Sequence, residues 1–148
     1  MKTAIIYYSR HHQNTKKLLD AIATREDVCL IDAVTVKEAD LSDYHLIGFA
    51  SGIYYGKFHQ TVLEFAQKSL PAGKKVFCLY TYGAPKDSYL RGIKEIIQQK
   101  GCQLAGSYGC YGYDTFGPFR LLGGIRKGHP DAEEIAGAVS FFQEICAQ

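Results

Sequence analysis

TAIIYYSRHHQNTKKLLDAIA, residues 3–23, places an apolar run of six in front of a polar loop and then a stretch of helical period. Thr3 to Tyr8 has the length of a strand and is apolar almost throughout, and Leu18, Leu19 and Ile22 make one face of the helix that follows. A continuous run, unlike strict alternation, is what a strand buried on both faces reads as, and such strands belong to parallel sheets covered by helices. The same sentence is written four more times. Apolar runs return at Asp27 to Ile31, Tyr44 to Ala50, Lys75 to Tyr80 and Gln103 to Tyr108. Helical spacing fills the gaps with Val62, Leu63, Ala66 and Leu70, and then Tyr89, Ile93, Ile96 and Ile97. A last helix is expected through Ile135, Val139, Phe142 and Ile145, with Pro130 and Asp131 as its start signal and Glu133 and Glu134 in its first turn. Only the crossover from Asp32 to Asp43 is abbreviated, with room for at most one short helix. This alternation predicts an open doubly wound α/β sheet, with right-handed crossovers limiting the topology.

Composition agrees with one domain spanning residues 1–148. The 148 residues are 47% hydrophobic and 22% charged, enough for a real core. Seventeen Lys and Arg against fifteen Asp and Glu give a net charge of +2, too balanced for a nucleic-acid-binding stripe. No apolar run approaches the ~20 residues of a membrane span, and the N-terminus lacks a signal-peptide cleavage region, so a cytoplasmic location is expected. The five cysteines, Cys29, Cys78, Cys102, Cys110 and Cys146, form no C-x-x-C pair, which indicates neither a disulfide scaffold nor a zinc site. Cys29 and Cys78 lie in runs read as strands, where a free Cys acts as a small buried hydrophobe.

In doubly wound sheets ligands bind beyond the carboxyl ends of the strands, so the loops there carry the function. The first, Ser9-Arg10-His11-His12-Gln13-Asn14-Thr15, runs into Lys16 and Lys17 without a carboxylate. Hydroxyl, amide and backbone N–H donors at a helix N-terminus suit a phosphate; equally, Asn14 or Thr15 has the chemistry of a plain helix N-cap. The loop lacks G-x-G-x-x-G and G-K-[ST], which removes the dinucleotide fingerprint and the P-loop. Strands ending in Tyr8-Ser9 and Ala50-Ser51 lack the aspartates of a response regulator, and Ser9 stands where a low-molecular-weight phosphatase needs its cysteine. After the third strand comes Ser51-Gly52-Ile53-Tyr54-Tyr55-Gly56-Lys57-Phe58, and after the fourth Thr81-Tyr82-Gly83-Ala84-Pro85. Aromatics beside glycines let a flat ring stack on a side chain while backbone amides reach its edge. Taken singly, each Tyr could instead be packing its loop onto the domain.

A phosphate loop followed by two Gly/Tyr loops resembles the flavodoxin family, and the likeness covers the whole chain. Ser9 to Thr15 is similar to the family's S-x-H-H-G-N-T form, with Gln13 replacing the usual glycine. If that position needs positive φ, the side chain costs about 1 kcal/mol. The resemblance implies a flavodoxin-like doubly wound five-stranded parallel sheet of order 2-1-3-4-5 with helices on both faces. It implies FMN as cofactor, held by Ser9, Arg10, His11, Gln13, Asn14 and Thr15 around the phosphate. Ser51, Gly52, Ile53, Tyr54, Tyr55, Gly56 and Lys57, with Thr81, Tyr82 and Gly83, would surround the ribityl chain and isoalloxazine. Tyr54, Tyr55 or Tyr82 would stack on the ring, and Gly56 sits where such proteins flip a peptide toward the reduced flavin. No side chain need be catalytic and no metal is implied.

The connection before the last helix is too long for an ordinary closing loop. From about 114 to 130 it carries Arg120, Arg126, Lys127 and His129 without an acid after Asp114, and it resembles a tail of some anaerobe flavodoxin-like proteins. Such a basic flap would suit an anionic partner or second nucleotide; Phe116, Phe119, Leu121 and Leu122 would equally pack it down as an elaborated loop. His11, His12, His59 and His129 lack metal-ligand spacing. Cys110 is the thiol nearest the expected site, without an apparent resolving partner. Three functions follow in order: an FMN-binding electron-transfer protein serving a redox partner protein or small acceptor; an FMN-dependent NAD(P)H:quinone-type oxidoreductase; a flavin-free interaction module of the same fold.

Overall fold

A computed structural model describes residues 2–10, 12–24, 27–113, 124 and 126–148. The opening strand β1 (Thr3–Tyr8) lies inside the sheet, hydrogen-bonded in parallel to β2 (Val28–Asp32) on one side and β3 (Leu46–Tyr54) on the other. Beyond β3 come β5 (Lys75–Tyr82) and β6 (Gln103–Tyr111), also parallel, so the five long strands run β2-β1-β3-β5-β6. The two-residue β4 (Lys57–Phe58) turns back antiparallel on the end of β3. Leaving that small strand aside, the order is the 2-1-3-4-5 expected from sequence.

Successive side chains of a strand point to opposite faces, and the two cores follow from this. Ile5, Leu46, Phe77 and Leu79 pack with Leu18, Leu19 and Ile22 of α1 (Asn14–Ala23) and with Val139, Phe142 and Ile145 of α4 (Ala132–Ala147). On the other face Ala4, Ile6, Ile47, Phe49 and Val76 meet Val62, Phe65 and Ala66 of α2 (Gln60–Ser69) and Ile93 and Ile97 of α3 (Arg91–Gln99). Phe77 reaches its position because Gly48 beside it has no side chain: a Cβ there would lie 2.4 Å from the ring. α4 starts as its sequence signals say, with Asp131 and Glu134 forming a reciprocal capping box.

Several boundaries differ from the sequence reading, for identifiable reasons. Residues 33–45 contain no helix; the Asp32 carbonyl accepts from Thr35 and Val36 N–H, and its carboxylate from Val34 N–H at 2.9 Å, closing a turn instead. Ser51 to Tyr54 and Thr81 to Tyr82 are strand, not loop, because β3 and β5 stay paired to Gly52↔Thr81 and β5 and β6 to Tyr82↔Tyr111. The long β6 takes Cys110 into the core, and burial pushes its thiol up to about 12, which leaves it unreactive. Cys78 is the expected buried hydrophobe, whereas Cys29, on the edge strand β2, is exposed. Among the described residues no helix is long and apolar enough to cross a membrane.

Candidate functional site

The parallel strands β1, β3, β5 and β6 end on the same side of the sheet, and their ends border an open cleft. It is lined by Ser9, Asn14 and Thr15 from the first loop, Gly52, Ile53, Tyr54 and Tyr55 from β3 and its turn, and Thr81, Tyr82 and Gly83 from β5. Gly112 and Tyr113, just after β6, complete it. Among the described residues that line it, none carries a formal charge.

The first loop is tied to its neighbours by side chains. Ser9 Oγ accepts from Lys16 N–H at 3.0 Å, while Asn14 Nδ2 donates to the Tyr113 carbonyl at 2.8 Å across 99 residues of sequence. The Thr15 and Thr81 hydroxyls share one hydrogen bond of 2.9 Å, so one of the two O–H protons stays available to a third group. Asn14 and Thr15 therefore are not the helix cap. That place falls to Gln13, which has φ 55° and no side-chain cap bond; His12 before it has φ 57°. The left-handed conformation that a glycine adopts freely is held here by glutamine, at a cost of about 1 kcal/mol.

The turn between β3 and β4 is a two-residue hairpin loop in which Tyr55 has φ 52° and Gly56 φ 78°. Both central residues having positive φ is the hairpin geometry that matches the twist of the strands. Tyr55 stands 85% exposed at this tip, and a Cβ on Gly56 would meet nothing within 4 Å. Tyr54 is fixed from below. Its ring meets Tyr8 edge-on at 5.3 Å and His59 at 5.2 Å, and its phenol packs where a Gly52 Cβ would come within 3.2 Å. Tyr8 and His59 themselves stack at 3.6 Å. His59 Nδ1 accepts from Thr61 N–H at 3.2 Å and so caps α2, and burial lowers the pKa of the imidazole. On the opposite wall Tyr82 touches Tyr111 at 5.4 Å edge-on, and its phenol pKa is raised by burial and then by Tyr80.

Of the residues singled out from sequence, Ser9, Asn14, Thr15, Gly52, Ile53, Tyr54, Tyr55, Thr81, Tyr82 and Gly83 converge on the cleft. Gln13 and Gly56 shape its loops, and Ser51 Oγ supports them by accepting from His59 N–H at 3.0 Å. Arg10 is drawn off to Asp32 at 2.7 Å, and Lys57 is exposed beside the hairpin tip. His11 lies outside the described residues, as does most of the basic loop, 114–123 with 125. Gly112 and Tyr113 were missed; the signal was the Tyr-Gly-Tyr that follows β6, the same pairing of glycine and tyrosine that marked the other two loops. His129, Asp131 and Glu134 come together although their spacing suggested nothing, but their atoms serve the capping box and the Tyr111 N–H.

A parallel sheet of this order with its cleft at the strand ends defines a flavodoxin-like fold. The flavodoxin domain model matches residues 4–112, and the chain belongs to the flavodoxin domain family. It is 36% identical over 147 residues to the uncharacterized protein MJ0298 of Methanocaldococcus jannaschii, covering 98% of each chain. Among solved structures it superposes on oxidised flavodoxin 2 from Bacillus cereus with a TM-score of 0.68, at 18% identity and 99% coverage of both chains. The general stress protein 14 of Treponema denticola, solved in complex with FMN, gives a TM-score of 0.65 at 11% identity, covering 97% of this chain and 98% of that one.

Proposed function

We propose that the protein binds FMN in this cleft and serves in electron transfer in the cytoplasm, exchanging electrons with a partner protein or small acceptor, as one domain over residues 1–148. The observation that carries this is the division of the cleft into an acid-free, donor-rich pole and an aromatic pole. The amide N–H groups of Gln13, Asn14 and Thr15, at the positive end of α1, find no acceptor among the described residues. They suit the phosphate, with Ser9, Thr15 and Thr81 hydroxyls beside them and His11 and Arg10 on the same loop. Asn14 Oδ1 is buried without a hydrogen-bond partner, which asks for a donor of the kind a ribityl hydroxyl supplies. The donor set therefore fits FMN.

Bound FMN would supply one- and two-electron chemistry through its isoalloxazine; the protein's part is to hold and tune it. Tyr55 and Tyr82, with Tyr54 fixed behind, offer ring faces at the aromatic pole, and Gly52, Gly56, Gly83 and Gly112 allow close backbone approach. Gly56, with no side chain and no neighbour, is free to reorient its peptide toward the reduced ring, while Ser51 and Lys57 frame the turn. Arg10 steadies the base of the loop through Asp32. No side chain is needed as a catalyst.

Anaerobic addition of NADPH to FMN-loaded protein tests the carrier reading. A carrier keeps its yellow absorbance until dithionite or a reductase is supplied. Rapid bleaching by NADPH alone would turn the assignment to the oxidoreductase, and failure to hold any flavin to an interaction module.

A further inference from the structure

Among the described residues Arg126 is a cation built into the rim of the cleft. Its Nε donates to the carbonyl of Gly83, a cleft-lining residue, at 3.3 Å. Its guanidinium lies over the ring of Tyr111 at 4.2 Å, and Tyr111 in turn contacts Tyr82 of the cleft wall. Its own carbonyl accepts from His129 N–H at 3.0 Å, closing a turn that holds Arg126 at φ 60°. A guanidinium tied at two points, on a backbone held by a third contact, is a fixed charge, unlike a lysine sweeping through solvent.

Among the described residues Arg126 makes no ion pair. Glu134, which accepts from the N–H of the Tyr111 that Arg126 covers, is engaged by Asp131 N–H, by Tyr111 N–H at 3.0 Å and by His129 Nδ1. Asp131 caps α4, and Asp32 and Asp20 are taken by Arg10 and Lys16. Among the described residues the cleft lining is uncharged, and Lys127, next to Arg126 in sequence, and Lys57, beside the hairpin tip, are both exposed. A fixed cation beside a low-charge cleft attracts anions to its mouth and repels cations, acting mainly on the rate of encounter.

We infer that Arg126 sets the charge preference of electron exchange at this site, selecting an anionic reactant. The inference rests on the FMN reading, and the test separates the two. Reduced, FMN-loaded protein is mixed anaerobically with hexacyanoferrate(III) or with hexaammineruthenium(III). Two acceptor ions are each reduced by one electron per reduced FMN, which also loses two protons. R126Q removes the charge and R126K keeps it. Both hold FMN within about threefold of the parent, since Arg126 lies outside the cleft lining. The expected result is a loss of roughly three- to tenfold in the anion's rate for R126Q and a gain of similar size for the cation, with R126K near the parent. The parent's rate with hexacyanoferrate(III) falls as NaCl is raised, and that of R126Q falls less. Potentiometric titration supplies an independent reading, the flavin midpoint shifting to more negative values in R126Q. Equal changes with both acceptors, or none, overturn the inference while leaving FMN binding standing. Loss of FMN from R126Q overturns it by making Arg126 a cofactor-holding residue, and a parent that holds no FMN brings down both readings.

Discussion

The two loops that face each other across the cleft are built on opposite plans. The first, residues 9–15, is held by side chains that reach other strands: Asn14 to Tyr113, Thr15 to Thr81. The second, the hairpin tip at Tyr55 and Gly56, follows from the backbone pairing of β3 with β4 and projects from the sheet, its tyrosine 85% exposed. The difference teaches where rigidity is needed. A phosphate gains most from donors fixed in advance, whereas a ring whose charge and hydrogen bonding change on reduction needs a turn able to adjust.

The sharpest way to break the contrast is to cut the long-range tie. Asn14→Ala leaves the Tyr113 carbonyl without its donor and is expected to lower the stability of the flavin-free protein by about 1–3 kcal/mol in urea unfolding. FMN affinity should fall at least tenfold, read by titration of flavin fluorescence. Equal stability in the variant would mean the clamp is ornamental.

A second pair of substitutions sharpens the comparison by sign. Gln13 and Tyr55 both hold left-handed conformations, so Gln13→Gly and Tyr55→Gly should each stabilise the flavin-free protein, by up to about 1 kcal/mol. Their effects on flavin should diverge. Gln13→Gly is expected to keep or raise FMN affinity, since the proposed phosphate contact at that position is the backbone N–H, and Tyr55→Gly to lower it by removing a ring face.

The smallest effect expected is on pH. His59, under the hairpin, is neutral when it caps α2 through Nδ1, and burial is the largest cause of its lowered pKa, with Lys37 lowering and Glu64 raising it. Its folded value lies below the unfolded one, so the stability it contributes is complete above the unfolded pKa near 6.5 and is lost as pH falls through the folded value. His59→Asn keeps a capping oxygen without a titrating ring and should flatten that limb of a stability-against-pH curve measured from pH 7 to 5.

What the sequence disclosed and what it withheld divide along similar lines. Five apolar runs and the helix spacings announced the sheet, because burial on both faces leaves no polar position to blur the pattern. The ends of β3, β5 and β6 did not show, since Ser51, Thr81 and Tyr111 stand near glycines that read as loop and are kept in strand by partners on the neighbouring strand. Asn14 announced itself as a helix-start residue, yet its actual partner is 99 positions away. Tyr55-Gly56 carried a legible hairpin signal, hidden by reading the whole of residues 51–58 as loop. The stack of Tyr8 on His59 and the tether of Arg126 to Gly83 are products of packing alone.

The division of the cleft into a phosphate pole and a ring pole is tested most directly by the visible spectrum of the purified protein after incubation with FMN, or with riboflavin, and thorough desalting. FMN retained at about one per chain and riboflavin washed away is the predicted result, because the ring pole alone is too adjustable to hold the cofactor. Equal retention of the two flavins, or of neither, would contradict it.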